Sequence, residues 1–185
     1  MDRPVVAIDS SLTGFHLMVE GPVHPLESFP LGEKSKDWPQ TLQGRIDRMR
    51  KIADTTAGMI RKWCPCLLLI EGYAFAVNPK RSRAVSLAEL GMLLRDRVVG
   101  YADNTVEVPP STVKKFATGK GNANKTAVAT HLAKRYKISF KDDNESDCFG
   151  ILRLGHVVVG YESAQTQFQT ETAEVVRTLI ERESA

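Results

Sequence analysis

Apolar residues recur along the chain in two rhythms. Val5 to Ile8 is a short apolar run that ends at Asp9. After the turn-like Ser10-Ser11-Leu12-Thr13-Gly14 a second run extends from Phe15 to Val19, and the pair predicts a hairpin of strands. Residues 21–39 carry Pro22, Pro25, Pro30 and Pro39. Proline donates nothing to a strand ladder, so this stretch has room for at most one further strand, at a sheet edge, before a loop. From Thr41 to Trp63, the residues Leu42, Ile46, Met49, Ile52, Ala53, Met59, Ile60 and Trp63 return at helical spacing. They predict an amphipathic helix with a basic outer face.

Cys66 to Ile70 is apolar without alternation, as in a strand covered on both faces at the middle of a sheet, and Glu71 stands at its end. Val85 to Val99 reads as a helix through Leu87, Leu90, Leu93, Leu94 and Val98, and Thr105 to Val108 as a short strand. Lys125 to Tyr136 and Glu145 to Val159 read as two more helices, and Ala173 to Ile180 as a short final one. Strands first, then alternating helix and strand, then helices, describe an α/β domain. There is no internal repeat, and the one biased stretch is the Gln/Thr-rich Gln165 to Thr172.

Composition narrows the picture. At 185 residues with 42% hydrophobic content, the chain fills one sizeable core rather than two. We divide it into a main domain at 1–160 and a helical extension at 161–185. A formal charge of +3 permits a polyanionic partner without requiring one, so the placement of charge matters more than its sum. Cys64, Cys66 and Cys148 form an odd set, and Cys-Pro-Cys is too tight for a zinc knuckle. Reduced thiols, the absence of a membrane-length apolar run and a start that leads straight into a strand pattern imply a cytoplasmic protein.

The acids carry the candidate chemistry. Asp9 and Glu71 each end an apolar strand, and Asp147 lies just inside a helix that turns apolar at Cys148, Phe149, Ile151 and Leu152. Two strand ends beside one helix start bring three carboxylates together. Phosphodiester hydrolysis with two magnesium ions needs such a convergence, and magnesium prefers oxygen ligands. Asp142 with Glu145 fits a helix-capping pair instead. Asp147 does not, because it sits within the apolar stripe, where a carboxylate is costly unless a cation receives it.

Four blocks, in order, resemble the RuvC family of Holliday-junction resolvases over about Val5 to Leu154. They are Ala7-Ile8-Asp9-Ser10-Ser11-Leu12-Thr13-Gly14; Ile70-Glu71 with Ala76-Val77-Asn78; the run Pro110 to Lys125 that contains Val113-Lys114 and Thr118-Gly119-Lys120-Gly121; and Glu145-Ser146-Asp147-Cys148-Phe149-Gly150-Ile151. The third block is the most specific. An Asp-x-x-x-x-Gly turn by itself also occurs in actin-like kinases, but those need a second domain that this length leaves no room for.

The resemblance implies an RNase H-like fold with a mixed central sheet flanked by helices. It also implies a structure-selective DNA endonuclease that cleaves Holliday junctions, leaving 5′-phosphate and 3′-hydroxyl ends. By the match Asp9, Glu71 and Asp147 bind Mg2+, with Mn2+ as a substitute. Lys114 and Lys125 correspond to catalytically important basic residues, and Lys120 to one that holds backbone phosphate. Two symmetric cuts imply a homodimer, for which the face of Leu87, Leu90, Leu94 and Val98 is a candidate interface alongside burial within one chain. The partner is branched DNA, a four-way junction in particular, and not a membrane.

The chain departs from the family pattern in two places. Asn144 stands where an acid or other ligand is usual, so the fourth ligand is Asn144 or, from one residue earlier, Asp143. After Glu71 the family carries an aromatic wedge, whose position falls on Ala74 between Tyr73 and Phe75; either ring is a candidate for stacking on a base or for core packing. Lys80, Arg81 and Arg83 form a basic cluster suited to phosphate contacts. His16, His24, His131 and His156 show no paired ligand spacing. A looser branched-DNA or fork nuclease, and a junction-binding module with weak catalysis, remain as alternatives.

Overall fold

The computed structural model describes residues 2–72 and 81–183, the side chains of 81–84 excepted. Five strands form one mixed sheet in the order β3-β2-β1-β4-β5. β1 (Val5–Asp9) pairs antiparallel with β2 (His16–Gly21), which pairs antiparallel with β3 (His24–Pro30). β4 (Leu67–Glu71) runs parallel to β1 on its other side, and β5 (Asn104–Val108) runs parallel to β4. β3 is the proline-containing edge strand and is largely exposed, which suits residues that blunt an edge.

Strand alternation divides the core into two layers. Val6, Ile8, Leu17, Val19, Leu68 and Ile70 face α1 (Leu42–Trp63) and α2 (Arg81–Val98). Val5, Ala7, Leu67 and Leu69 face the other layer. That layer is built from α3 (Pro110–Thr118), α4 (Lys125–Tyr136), α5 (Asp143–Val159) and α6 (Gln167–Glu183). Each fully buried Leu, Ile or Phe in these layers contributes about 1.5–3 kcal/mol.

α5 lies very close to the sheet. A Cβ added to Gly155 meets Leu69 Cδ1 and Val5 Cγ1 at 2.6 Å, so only glycine permits this approach. The Cys148 thiol donates to the Ala7 and His16 carbonyls at 3.4 and 3.5 Å, which pins the start of the helix over β1 and β2. Asp142 caps α5 by accepting from the Glu145 backbone N–H at 2.9 Å, and the Glu145 carboxylate accepts from the Lys141 N–H. This is the capping pair expected from the sequence.

Three expectations are corrected. Leu90, Leu94 and Val98 are buried against α1 within the chain, so they offer no face to a second copy. The α1 outer face is basic at Arg45 and Arg50, but Arg48 is buried and donates to the Glu33 and Leu12 carbonyls. Its guanidinium satisfies the Glu33 carbonyl and joins the Glu33 N–H in donating to the Leu12 carbonyl. α3 was not expected as a helix, and α6 runs well beyond Ala173–Ile180. α6 also buries Ala173 and Val176 in the same layer as α5. Among the described residues no helix is long and apolar enough to cross a membrane.

Candidate active site

Asp9 closes β1 and Glu71 closes β4, and the parallel register aligns Val5 with Leu67 through Ile8 with Ile70. The next step places Asp9 beside Glu71, and period-two alternation turns both toward α5, as it does Ala7 and Leu69. The two carboxyls are hydrogen-bonded, and Asp147 approaches them from the first turns of α5. Asp9 is 6% exposed and the Asp147 side chain 18% exposed.

Crowded acids out of water resist ionisation. Burial, then the charges of Glu71 and Asp147, push the Asp9 carboxyl up to about 8. Near neutral pH Asp9 is therefore the protonated partner, donating to Glu71. Glu71 is also raised, first by burial and then by Asp147, while the Asp9 hydrogen bond and the charges of Lys125 and Lys114 pull it back. Lys125, the first residue of α4, places its Nζ 2.9 Å from Asp147 Oδ2. Burial lowers its pKa, but the hydrogen bond and charge of Asp147 outweigh that, and the net shift is upward.

Among the described residues no three His, Cys, Asp or Glu side chains stand close enough to hold an ion as they are. The acids instead share a proton and take up an ammonium group. The donor set nonetheless suits a hard divalent cation: all oxygen, largely buried, and short of compensating positive charge. Asp9, Glu71 and Asp147 could hold one after Asp9 loses its proton and Lys125 withdraws.

The first turn of α5 closes onto the β1–β2 turn. A Cβ on Gly14 meets the Asn144 amide at 2.6 Å, so the small residue at 14 lets Asn144 sit there. Asn144 lines a cleft of about 680 Å3 together with Lys125, Leu12, Ser35 and Arg48. Asp143 is exposed.

The remaining candidates scatter. Lys114 is half-buried on α3 and acts electrostatically on Glu71. Lys120 is exposed on the turn after α3, and Lys115 is occupied by an ion pair with Glu171 at 2.8 Å. Tyr73, Phe75 and Lys80 lie outside the described residues, and Arg81 and Arg83 begin α2 with side chains likewise outside them. Sequence reasoning missed Arg48, which fixes the turn after β1. Its signal was its place directly before Met49 at the edge of the apolar stripe.

No protein-family model matches the chain. Over 111 residues it is 29% identical to the crossover junction endodeoxyribonuclease RuvC of Prochlorococcus marinus, a span of 59% of this chain and 70% of that protein. Thermus thermophilus RuvC in complex with a Holliday junction substrate aligns with a TM-score of 0.60 at 15% identity, over 81% of this chain and 90% of that one. A second T. thermophilus RuvC structure aligns at 0.58 and 17% identity, over 85% and 96%. The yeast mitochondrial Holliday junction resolvase Ydc2 aligns at 0.54 and 14% identity, over 98% and 84%. The shared mixed sheet with flanking helices is the RNase H-like fold, and these matches bear out the resemblance to RuvC.

Proposed function

We propose that this chain is a RuvC-type endonuclease that cleaves branched DNA, four-way junctions above all, by metal-assisted phosphodiester hydrolysis. The observation that carries this reading is the meeting of Asp9 and Glu71, from neighbouring parallel strands, with Asp147 on the helix laid across them. The sequence similarity to a crossover junction endonuclease supports it.

Asp9, Glu71 and Asp147 form the ligand set, with Asn144, from the first turn of α5, as a neutral amide candidate for a fourth ligand. Bound Mg2+, or Mn2+ in its place, supplies activation of a water molecule and relief of charge on the leaving oxygen. The protein's own part is to keep the carboxylates dry and aligned and to set Lys125 and Lys114 beside the scissile phosphate. There an ammonium offsets charge that builds in the transition state. The products are a 5′-phosphate and a 3′-hydroxyl. Lys120 and the cluster Lys80, Arg81 and Arg83 hold backbone phosphates away from the cut.

Paired cuts across a junction call for two copies of the site, hence a C2 homodimer. The face offered to the second copy is the outward side of α2 and the turn just past it, where Val85, Met92 and Val99 stand 55%, 70% and 67% exposed. Exposed apolar residues aligned on one helix favour burial against a partner.

Incubation of the wild-type protein and Glu71→Gln with a four-way junction, a fork and a linear duplex, each with Mg2+, tests the reading. Expected are paired nicks in the junction by the wild type, and binding without cleavage by Glu71→Gln. Equal cutting of fork and junction would favour a looser branch nuclease, and undiminished nicking by Glu71→Gln would end the metal-site assignment.

A further inference from the structure

The cleft lined by Lys125 and Asn144 adjoins a further hollow. Through Leu12, Ser35 and Arg48, which line both, it continues into a second hollow of about 350 Å3 whose far wall carries Trp38 and Arg45. Arg48 joins the two hollows, since its buried guanidinium ties the Leu12 and Glu33 carbonyls together and fixes the loops on either side.

The wall of the outer hollow is built to hold an indole in place. Gln40 Nε2 donates to the Ser35 and Trp38 carbonyls at 2.7 and 2.9 Å, closing the segment into a rigid turn. Trp38 Nε1 donates to Glu33 Oε2 at 3.3 Å, which anchors the ring by its edge, and Trp38 lines the hollow. Arg45 is half-exposed and engages Glu89 only at 3.6 Å, an ion pair weak enough to be exchanged for a phosphate. The hollow is at the lower end of the range for small-ligand sites, about 300–1,000 Å3. Its volume is on the scale of one nucleotide rather than of a duplex.

We propose that this groove receives the single strand that leads away from the scissile phosphate. Trp38 stacks on an unpaired base next to the branch point, and Arg45 binds the adjoining backbone phosphate. The identity of the strand rests on the nuclease reading above; the groove's affinity for single-stranded DNA does not. Stacking of this kind tolerates any base, so the groove senses strand separation rather than sequence.

The test uses the full chain with Trp63→Phe, which leaves Trp38 as the sole indole of the two in the sequence. A short single-stranded oligonucleotide and a four-way junction are titrated against indole fluorescence. Expected is quenching by both; affinity, read for every variant by the anisotropy of a dye-labelled oligonucleotide, is lowered about tenfold or more by Trp38→Ala and largely recovered by Trp38→Phe. Arg45→Gln lowers the slope of log affinity against log salt by about 0.7 for the single strand, the loss of one phosphate contact. On junctions these variants raise KM more than they lower kcat. Quenching without cleavage would uphold the groove and sink the nuclease reading. Cleavage with no quenching, and with affinity and salt slope unchanged in both variants, would overturn the groove alone.

Discussion

Lys125 Nζ sits 2.9 Å from Asp147 Oδ2, and the residue before it, Asn124, caps the helix that delivers it by accepting from the Ala127 N–H. The ammonium is thus carried on the positive end of a helix and aimed at the acids. Lys125→Gln removes that charge and leaves the cap in place. Single-turnover cleavage of a junction is expected to fall by about 10²–10³-fold, the scale of losing one donor to transition-state charge. Lys125→Arg should recover part of the loss. An unchanged rate would make Lys125 a structural partner of Asp147 only.

If Asp9 is a metal ligand as proposed, metal binding and its proton are linked. Burial first, then Glu71 and Asp147, push Asp9 up to about 8, so at about pH 7 it is mostly protonated, and a cation must displace that proton. Adding Mg2+ near pH 7 is therefore expected to release close to one proton per site, and distinctly less near pH 9. Calorimetry in buffers of different ionisation enthalpy measures it without DNA. Release that does not change with pH would remove Asp9 from the ligand set.

At the other end of α5, stability rather than chemistry depends on pH. His156 is 5% exposed and touches the Glu20 carbonyl at 3.3 Å and Arg153 at 3.4 Å. Burial first, and then the Arg153 guanidinium, bring its pKa from 6.5 down to about 4. The folded state thus resists a proton that the unfolded chain accepts. The stability is fully present above about pH 6.5 and is lost as pH falls toward about 4. Between pH 7 and pH 5 the loss is about 2 kcal/mol. Urea denaturation at both pH values should show it, and His156→Gln should lose less between them. Equal losses would mean that other groups carry the acid sensitivity.

What was legible in the sequence follows from where side chains end up. Val5–Ile8 and Leu67–Ile70 are buried on both faces, and that burial wrote the uninterrupted apolar runs that located the central strands. Asp9 and Glu71 were legible because each breaks such a run at its end. α3 was harder, since only Val113, Phe116 and Ala117 of it are buried, and nine residues offer little periodicity. Pro110 at its first position and Gly119 just past its end were the available signs. The two readings left open for the α2 stripe show the limit of periodicity, and burial within the chain is the one the structure bears out. The Leu90, Leu94 and Val98 stripe is one face whether it packs on α1 or on a second copy, and the spacing alone is the same in both cases.

If the acids take up metal as proposed, the position of Asn144 bears on how they do so. It packs on Gly14, at the closing point of the β1–β2 turn, and faces the cleft that Lys125 lines, whereas Asp143 one residue earlier is exposed. On the metal-assisted reading proposed above, Asn144 is therefore the candidate we favour for a fourth ligand. An amide oxygen brings no charge, so the site has one negative charge fewer than a set of four carboxylates and holds Mg2+ more weakly. Asn144→Asp is nearly isosteric and should fit over Gly14 without displacing α5. It is expected to lower the Mg2+ concentration for half-maximal junction cleavage, while Asp143→Asn leaves that concentration nearly unchanged and Asp147→Asn abolishes cleavage. Gly14→Ala supplies a control on geometry. The added methyl would meet the Asn144 amide, so metal demand should rise although no ligand has been altered. If Asp143→Asn is the damaging change and Asn144→Asp is silent, the fourth ligand comes from the exposed residue. If neither shifts the metal demand, the start of α5 contributes Asp147 alone.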